Sequence, residues 1–327
     1  MSPDPRPASG PRAAGAIRPA GATRGGLPPR LHVGLDNYGS WLGGNWARLL
    51  DLAAAADEAG VDTLVLVDHV VLGGDLSGYP YGPFATEPGA PWLEPLTCLA
   101  AIAGRTSRVR LMTGVLIAPL RPPALLAKTA ATLDVLSGGR LDLGVGTGWL
   151  AKEYEAVGLD FRERGRLLDD ALDACAALWQ GGPTAFDSPR LRFDDVYCEP
   201  RPRQAGGIPF WIGGELHDRN LARLVRRCGG WIPSPTARRR EIAAGIERLD
   251  AALKAAGRDP GEVRVRIGVP AGGDESGRPT LDTERLAEFR ALGASDFYAP
   301  LSHLCPDADS APAYIAGLAA AFRSATA

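Results

Sequence analysis

Eight short apolar segments alternate with helical segments along this 327-residue chain, and this alternation constrains the fold more than any other feature. We predict strands at residues 31–36, 61–67, 108–113, 140–145, 209–212, 229–232, 263–269 and 294–299. We predict helices at residues 45–59, 96–103, 123–136, 165–180, 217–227, 235–257, 281–291 and 310–323. Strands that alternate with helices pair in parallel, and eight such units favour a (β/α)8 TIM barrel with insertion segments. A doubly wound open sheet is the alternative.

The segment 132–149, TLDVLSGGRLDLGVGTGW, contains a helix end, a turn, a strand and a glycine-rich loop. Leu133 and Leu136 are predicted to lie on the buried face of the helix. The Ser-Gly-Gly turn ends this helix, because glycine adopts the left-handed conformation common at helix C-termini. A ligand can closely approach the bare backbone of the glycine loop at 144–148. This loop follows a strand, where α/β folds bind their ligands.

Composition argues against several classes of function. A net charge of −2 gives the chain no overall attraction to nucleic acid or to an anionic membrane. No apolar run reaches the roughly 18 residues that a membrane-spanning helix needs. The five cysteines include no C-x-x-C pair, which is typical of reduced thiols in a cytoplasmic protein.

The first thirty residues differ from the rest of the chain. They are dominated by Pro, Ala, Gly and Arg and have no periodic apolar face. They also lack the apolar stretch of a secretory signal. We therefore predict a disordered N-terminal extension at residues 1–30 and one barrel domain at residues 31–327.

Asp68 and His69 follow the second predicted strand and are candidate catalytic residues. A histidine exchanges a proton near neutral pH, and a neighbouring carboxylate such as Asp68 could orient its ring. The alternative is a structural histidine bonded to a backbone group. Glu153 is a second acid–base candidate, although a solvated helix face is the favoured interpretation for it. No pair of histidines and carboxylates has metal-ligand spacing, so we expect no metal site.

Two glycine-rich turns are candidate ligand sites. Gly144, Gly146 and Gly148 do not form the dinucleotide fingerprint G-x-G-x-x-G, and a simple tight turn remains open for them. Gly213 and Gly214 follow a predicted strand and precede a helix. That arrangement presents N–H groups and a helix dipole to a phosphate, so we predict a phosphate-binding turn there.

A long loop at residues 72–95 connects the second strand to the following helix. Its composition is rich in glycine, proline and aromatic residues, among them Tyr79, Tyr81, Phe84 and Trp92. Loops of this length without secondary structure are usually functional or disordered. We predict a mobile cover over a planar ligand, with a surface-packed loop as the alternative.

Several motifs resemble the luciferase-like monooxygenase superfamily, in the branch that uses the deazaflavin coenzyme F420. They include VLVDHVV (65–71), SRVRLMTGV (107–115), SGGRLDLGVGTGW (137–149), PFWIGG (209–214) and GGW (229–231). Together the matching pieces span most of residues 31–235 in the family's order. One departure is the aspartate of the family's G-D-G-W, which is replaced here by Gly229.

The resemblance implies roles for particular positions. In similar enzymes the residues matching Asp68 and His69 touch the deazaflavin, and they can assist proton transfer. A bulge with a non-prolyl cis peptide backs the ring, and a second loop lies beside the ring. A glycine turn holds the phosphate, and an insertion, matched here by 190–202, shields the flavin. The implied cofactor-binding residues are Asp68, His69, Thr113, Gly114, Val115, Gly146, Thr147, Gly148, Trp149, Gly213 and Gly214.

The implied activity is reversible hydride transfer between C5 of coenzyme F420 and a small organic substrate. One alternative is an FMN-dependent monooxygenase that receives reduced flavin from a partner reductase. Another is a non-catalytic flavin-binding relative. The resemblance also implies a homodimer, and no nucleic-acid or membrane partner is expected. The substrate cannot be read from one sequence.

Overall fold

In the computed structural model, which describes residues 27–273 and 279–327, eight parallel strands close into a barrel. Around the barrel the order is β1, β2, β3, β4, β7, β8, β9 and β12. Their bounds are β1 Arg30–Gly34, β2 Thr63–Leu66, β3 Arg110–Ile117, β4 Leu141–Gly146, β7 Phe210–Gly213, β8 Gly230–Ile232, β9 Arg264–Gly268 and β12 Asp296–Pro300. All eight correspond to predicted strands, so the predicted barrel is confirmed and the open sheet is wrong.

Helices surround the barrel, and two antiparallel strand pairs lie outside it. The helices are α1 Ala47–Ala59, α2 Pro95–Ala103, α3 Pro123–Leu136, α4 Ala151–Ala156, α5 Arg164–Leu178, α6 Asp218–Arg227, α7 Arg239–Ala255, α8 Thr283–Ala291, α9 Leu301–Leu304 and α10 Ala311–Thr326. The strand pairs are β5 Thr184–Asp187 with β6 Arg192–Val196, and β10 Ala271–Gly273 with β11 Pro279–Leu281. Over the described residues, no helix is long and apolar enough to cross a membrane.

The buried face of α3 differs from the prediction at its last turn. Leu126, Ala130 and Leu133 are buried, and the same stripe continues to Ser137. Leu136 is 67% exposed because it lies one position before the repeat of that stripe. The prediction that Leu136 is a core residue is therefore wrong. The predicted turn after the helix is confirmed, since Gly138 has a φ of 74° and follows Ser137 directly.

The predicted boundary of the domain at residue 31 is also wrong. Leu27 is buried, and the carbonyl oxygen of Pro28 accepts hydrogen bonds from Arg264 on β9. Arg30 begins β1. These contacts belong to the barrel, so the domain begins before residue 31. The predicted disordered extension otherwise falls on residues 1–26, which lie outside the described residues.

A bulge in β3 shapes the centre of the barrel. The pairing of β3 with β4 shifts register between Thr113 and Leu116, and the Gly114–Val115 peptide bond is cis. Thr113 is fully buried, and its hydroxyl donates to the carbonyl oxygen of Gly144. A Cβ on Gly144 would lie only 2.1 Å from the carbonyl oxygen of Thr113. Gly144 therefore serves strand packing, and its prediction as a ligand-accessible loop glycine is wrong.

Candidate active site

A cavity of about 720 Å³ opens at the carboxyl ends of the barrel strands. Ten of the predicted site residues line it, and they come from four different strand ends or the loops that follow them. These residues are Asp68, His69, Gly114, Val115, Gly146, Thr147, Gly148, Trp149, Gly213 and Gly214. The remaining two, Thr113 and Glu153, are fully buried behind the cavity wall. The structure thus brings the predicted positions together, while their chemical roles stay predictions.

His69 is held by Glu153 and not by Asp68. The Nδ1 atom of His69 lies 3.0 Å from Oε2 of Glu153, and Oε1 of Glu153 accepts the backbone N–H of Val70. Glu153 is fully buried on α4, so the interpretation as a solvated helix face is wrong. This contact engages Nδ1, so Nε2 is the ring nitrogen of this cavity-lining residue that is left for a ligand.

Asp68 instead forms a structural link between neighbouring strand ends. Its carboxylate accepts hydrogen bonds from the backbone N–H of Ile117 and from two nitrogens of Arg121. Arg121 also donates to Glu94, which caps the N-terminus of α2. Although burial lowers the pKa of Arg121, its bonds to Asp68 and Glu94 outweigh this and raise it. The prediction that Asp68 orients His69 is wrong because these bonds engage both carboxylate oxygens.

Aromatic rings from the 72–95 loop, together with Trp149 from the loop after β4, surround His69. Its ring centroid lies 5.3 Å from that of Phe84, 4.7 Å from that of Trp92 and 6.1 Å from that of Trp149, all edge-on. Tyr79 contacts Trp149 across the same space. The Nε1 atoms of Trp92 and Trp149 are buried without a hydrogen-bond partner. The loop therefore lines the cavity with flat apolar surface, as the prediction of a cover over a planar ligand requires; its mobility is untested.

Gly213 and Gly214 lie at the cavity, but they differ from the predicted phosphate turn. The N–H of Gly214 donates to the carbonyl oxygen of Ile232 in β8, and its own carbonyl accepts from Trp231. A Cβ on Gly213 would lie 2.6 Å from the Val115 side chain. The Gly214 N–H is therefore not free for a phosphate, and this part of the prediction is wrong. The sequence did not show the partner because the bond depends on which strands pair.

The segment 190–202 does not reach the cavity. Most of it belongs to the β5–β6 pair and the chain after it, and Arg190 bonds Asp170 on the outer helix α5. None of its residues is among those that line the cavity. The structure therefore does not support the prediction that this segment shields a ring.

Arg266 and Tyr298 are among the cavity residues that sequence reasoning missed. The signal was present in the strand sequence VRVRIGV, in which arginines alternate with apolar residues. Such alternation usually indicates a solvated strand face. In this closed barrel the arginine face points inward, so both Arg264 and Arg266 are buried. Within the described parts of the chain, no group of three or more potential metal ligands is present.

The fold and its cavity define a (β/α)8 protein with a ligand site at the carboxyl ends of its strands. A model of the luciferase-like monooxygenase family matches residues 27–276. An uncharacterized protein of Mycobacterium tuberculosis is 34% identical over 230 residues, which cover 70% of this chain and 76% of that protein. The F420-dependent glucose-6-phosphate dehydrogenase of Nocardia farcinica is 30% identical over 274 residues, covering 78% of this chain and 70% of the relative. The chain belongs to the luciferase-like monooxygenase family.

Two solved structures confirm the fold. An F420-dependent secondary alcohol dehydrogenase in complex with an F420–acetone adduct has a TM-score of 0.70 at 15% identity, and the match covers 89% of this chain and 98% of that one. A riboflavin lyase with modified FMN and riboflavin has a TM-score of 0.64 at 18% identity, covering 88% and 69%. The family and its relatives support an oxidoreductase or a monooxygenase, with a deazaflavin or flavin cofactor undecided between these neighbours.

Proposed function

We propose that this protein is an F420-dependent oxidoreductase that transfers a hydride between the deazaflavin and a small organic substrate. The observation that carries the proposal is the placement of His69, held by buried Glu153, in the wall of an aromatic cavity. The choice of F420 over FMN is supported by the 30% identity to F420-dependent glucose-6-phosphate dehydrogenases of two organisms.

The residues of the cavity fit a tricyclic ring. The cavity's volume of about 720 Å³ lies within the usual range for small-molecule sites, about 300–1,000 Å³. The side chains of Phe84, Trp92 and Trp149 offer flat surface. Gly114 and Val115 would support the ring, and the loop beside Gly148 would bind the ribityl chain of the cofactor.

When bound, the deazaflavin supplies a ring carbon that accepts or releases a hydride. The chain supplies proton handling and water exclusion. With its Nδ1 proton held by Glu153, His69 can accept a substrate proton at Nε2 and return it in the reverse direction. The aromatic loop excludes water from this proton exchange, because its rings pack directly against the imidazole.

Cofactor titration tests the proposal. Purified protein is titrated with F420 and, separately, with FMN, and quenching of tryptophan fluorescence is followed because Trp92 and Trp149 line the cavity. We expect F420 to bind at least tenfold more tightly than FMN. Tight FMN binding without F420 binding would contradict the proposal.

The tautomer of His69 provides a test that needs no substrate. In Glu153→Gln the new amide can donate to Nδ1, so we expect the proton of His69 to move to Nε2. Imidazole ¹⁵N NMR measures this, since the chain has only four histidines. His69→Gln assigns the signal. An unchanged Nδ1–H tautomer in Glu153→Gln would show that Glu153 does not set the proton's position.

The second candidate is an FMN-dependent monooxygenase supplied by a partner reductase. It is favoured by the family's description and by the neighbouring riboflavin lyase structure that holds modified FMN. This candidate predicts that protein mixed with reduced FMN and O₂ transfers one oxygen atom of O₂ to the substrate, which mass spectrometry with ¹⁸O₂ detects. The F420 proposal predicts substrate-dependent bleaching of F420 absorbance under anaerobic conditions.

A further inference from the structure

Arg266 on β9 is a buried cation that forms no ion pair with a described carboxylate. It is only 4% exposed, and among the described residues its one hydrogen-bond acceptor is Sδ of Met112, 3.6 Å from Nη1. Other arginines inside the protein are paired, as Arg264 is with Asp296 and Arg110 with Asp142. Arg266 departs from this pattern, although charged side chains are rarely buried unless they are paired.

The buried carboxylate of Asp296, whose charge acts on Arg266, is already engaged by other groups. The two carboxylate oxygens of Asp296 contact His32, Arg264 and Ser295. Burial lowers the pKa of Arg266 to about 10, because Tyr298 and Asp296 offset the loss of water only in part. The guanidinium nevertheless stays protonated at neutral pH. No described residue of the chain supplies a paired negative charge for it.

The guanidinium lies at the floor of the cavity. A Cβ on Gly114 would be 3.0 Å from Nη1 of Arg266, which places the cation beside the bulge of β3. The guanidinium carbon is 4.7 Å from the ring centroid of Tyr298. Arg266 and Tyr298 both line the cavity. Burial raises the pKa of the Tyr298 hydroxyl to about 12, so it remains a hydrogen-bond donor.

We propose that Arg266 and Tyr298 form an anion subsite in the cavity floor, which binds a carboxylate or a delocalised oxyanion. The planar fork of arginine matches two oxygens of such a group, and the tyrosine hydroxyl supplies a further donor. Two sources have this chemistry, namely an acidic substrate and the anionic ring of a flavin-type cofactor. The subsite explains why an unpaired cation is retained in the barrel although it opposes folding.

Benzoate and its neutral analogue benzamide test the subsite on the protein without cofactor. Binding is measured by tryptophan fluorescence and checked by thermal shift. We expect wild-type protein to bind benzoate at least tenfold more tightly than benzamide. Arg266→Met should abolish this preference, and Arg266→Lys should keep part of it. Arg285→Met, which removes an exposed arginine on α8, is the control and should bind like wild type.

Equal binding of benzoate and benzamide by wild-type protein would overturn the proposal. A benzoate preference that persists in Arg266→Met would overturn it as well. Circular dichroism confirms that Arg266→Met is folded, and Arg266→Lys supplies an independent comparison if it is not. These outcomes are separate from the proposed function, because no cofactor takes part in this measurement.

Repeating the benzoate titration with saturating F420, and with saturating FMN, distinguishes the two sources. If the substrate supplies the anion, benzoate still binds beside the cofactor with the same preference over benzamide. If the ring supplies it, the cofactor displaces benzoate, and Arg266→Met weakens binding of the reduced cofactor at least tenfold more than binding of the oxidised one. Displacement by a cofactor whose affinity Arg266→Met leaves unchanged in both redox states would contradict the ring assignment.

Discussion

The two ends of the barrel treat buried polar groups differently. At the amino end, Arg264 and Asp296 form a 2.8 Å ion pair, and Asp296 also contacts His32. At the carboxyl end, two residues further along β9, Arg266 has no carboxylate partner in the part of the chain that the structure describes. The tryptophan Nε1 atoms in the cavity wall are also unpartnered. Both environments lie within the same closed sheet.

This difference separates a charged group that stabilises the fold, Arg264, from one that a bound ligand could pair with, Arg266. A buried polar group with its partners in place specifies one arrangement of the interior, whereas one without partners costs free energy. Arg266 and the two tryptophan nitrogens lie at the cavity, while the amino end holds one buried atom without a partner, Nδ1 of His32. The charge of Arg264 therefore stabilises the fold through Asp296, whereas the charge of Arg266 has no such partner among the described residues.

The largest expected effect comes from breaking the pair at the amino end. Arg264→Met leaves Asp296 buried without its guanidinium, and we expect a loss of about 3–5 kcal/mol in the free energy of unfolding. Urea denaturation followed by circular dichroism measures it. The matched control is Arg266→Met on the same strand, where no carboxylate is left unpaired.

Arg266→Met should cost far less than Arg264→Met, because it loses only the contacts with Tyr298 and Met112. Equal losses in the two variants would show that both arginines serve folding. In that case the contrast between the two ends of the barrel would be wrong.

A second prediction compares a glycine in close contact with neighbouring backbone, Gly144, with a glycine that has free space around it, Gly74. A Cβ on Gly144 meets the carbonyl oxygen of Thr113 at 2.1 Å, and backbone cannot move aside as a side chain can. We expect Gly144→Ala to lower the free energy of unfolding by about 1–3 kcal/mol, as overpacking usually does. Gly74→Ala, where nothing lies within 4 Å, is the control and should change stability little. A neutral Gly144→Ala would contradict the close approach of β3 and β4.

The sequence predicted the barrel well because its strands and helices have clear periodicity. Leu168, Leu172 and Cys175 repeat at helical spacing and are all buried on α5. His69 was found because it follows a buried strand. Such local patterns report which face of an element is covered. They carry much less information about which element covers it.

The parts that sequence reasoning missed depend on distant partners. Glu153 lies on the six-residue helix α4, which is too short to show a buried face, and its partner His69 is 84 positions away. The N–H of Gly214 is taken by Ile232 of the next strand. Arg266 looked solvent-facing because only barrel closure turns that strand face inward. Each error concerns contacts between elements, which one sequence without an alignment does not display.

The smallest expected effect tests the amino end through pH. Burial lowers the pKa of His32 despite its bond to Asp296, and Arg266 and Arg30 act in the same direction. Its Nδ1 atom is buried without a partner, so protonation would bury an unpaired N–H. His32 therefore binds a proton more readily in the unfolded chain than in the folded protein. The free energy of unfolding consequently falls as the pH drops below about 6.5.

The expected slope for this one site is at most about 1.4 kcal/mol per pH unit. Urea unfolding between pH 7 and pH 5 measures this slope. The carboxyl of Asp296 titrates below that range, because its bonds to His32 and Arg264 hold its pKa below the usual value despite burial. In His32→Gln the amide can still donate to Asp296 but cannot titrate, so this site's part of the slope should vanish. An unchanged slope would mean that His32 binds its proton equally well in the folded and unfolded chain, and the prediction would then be wrong.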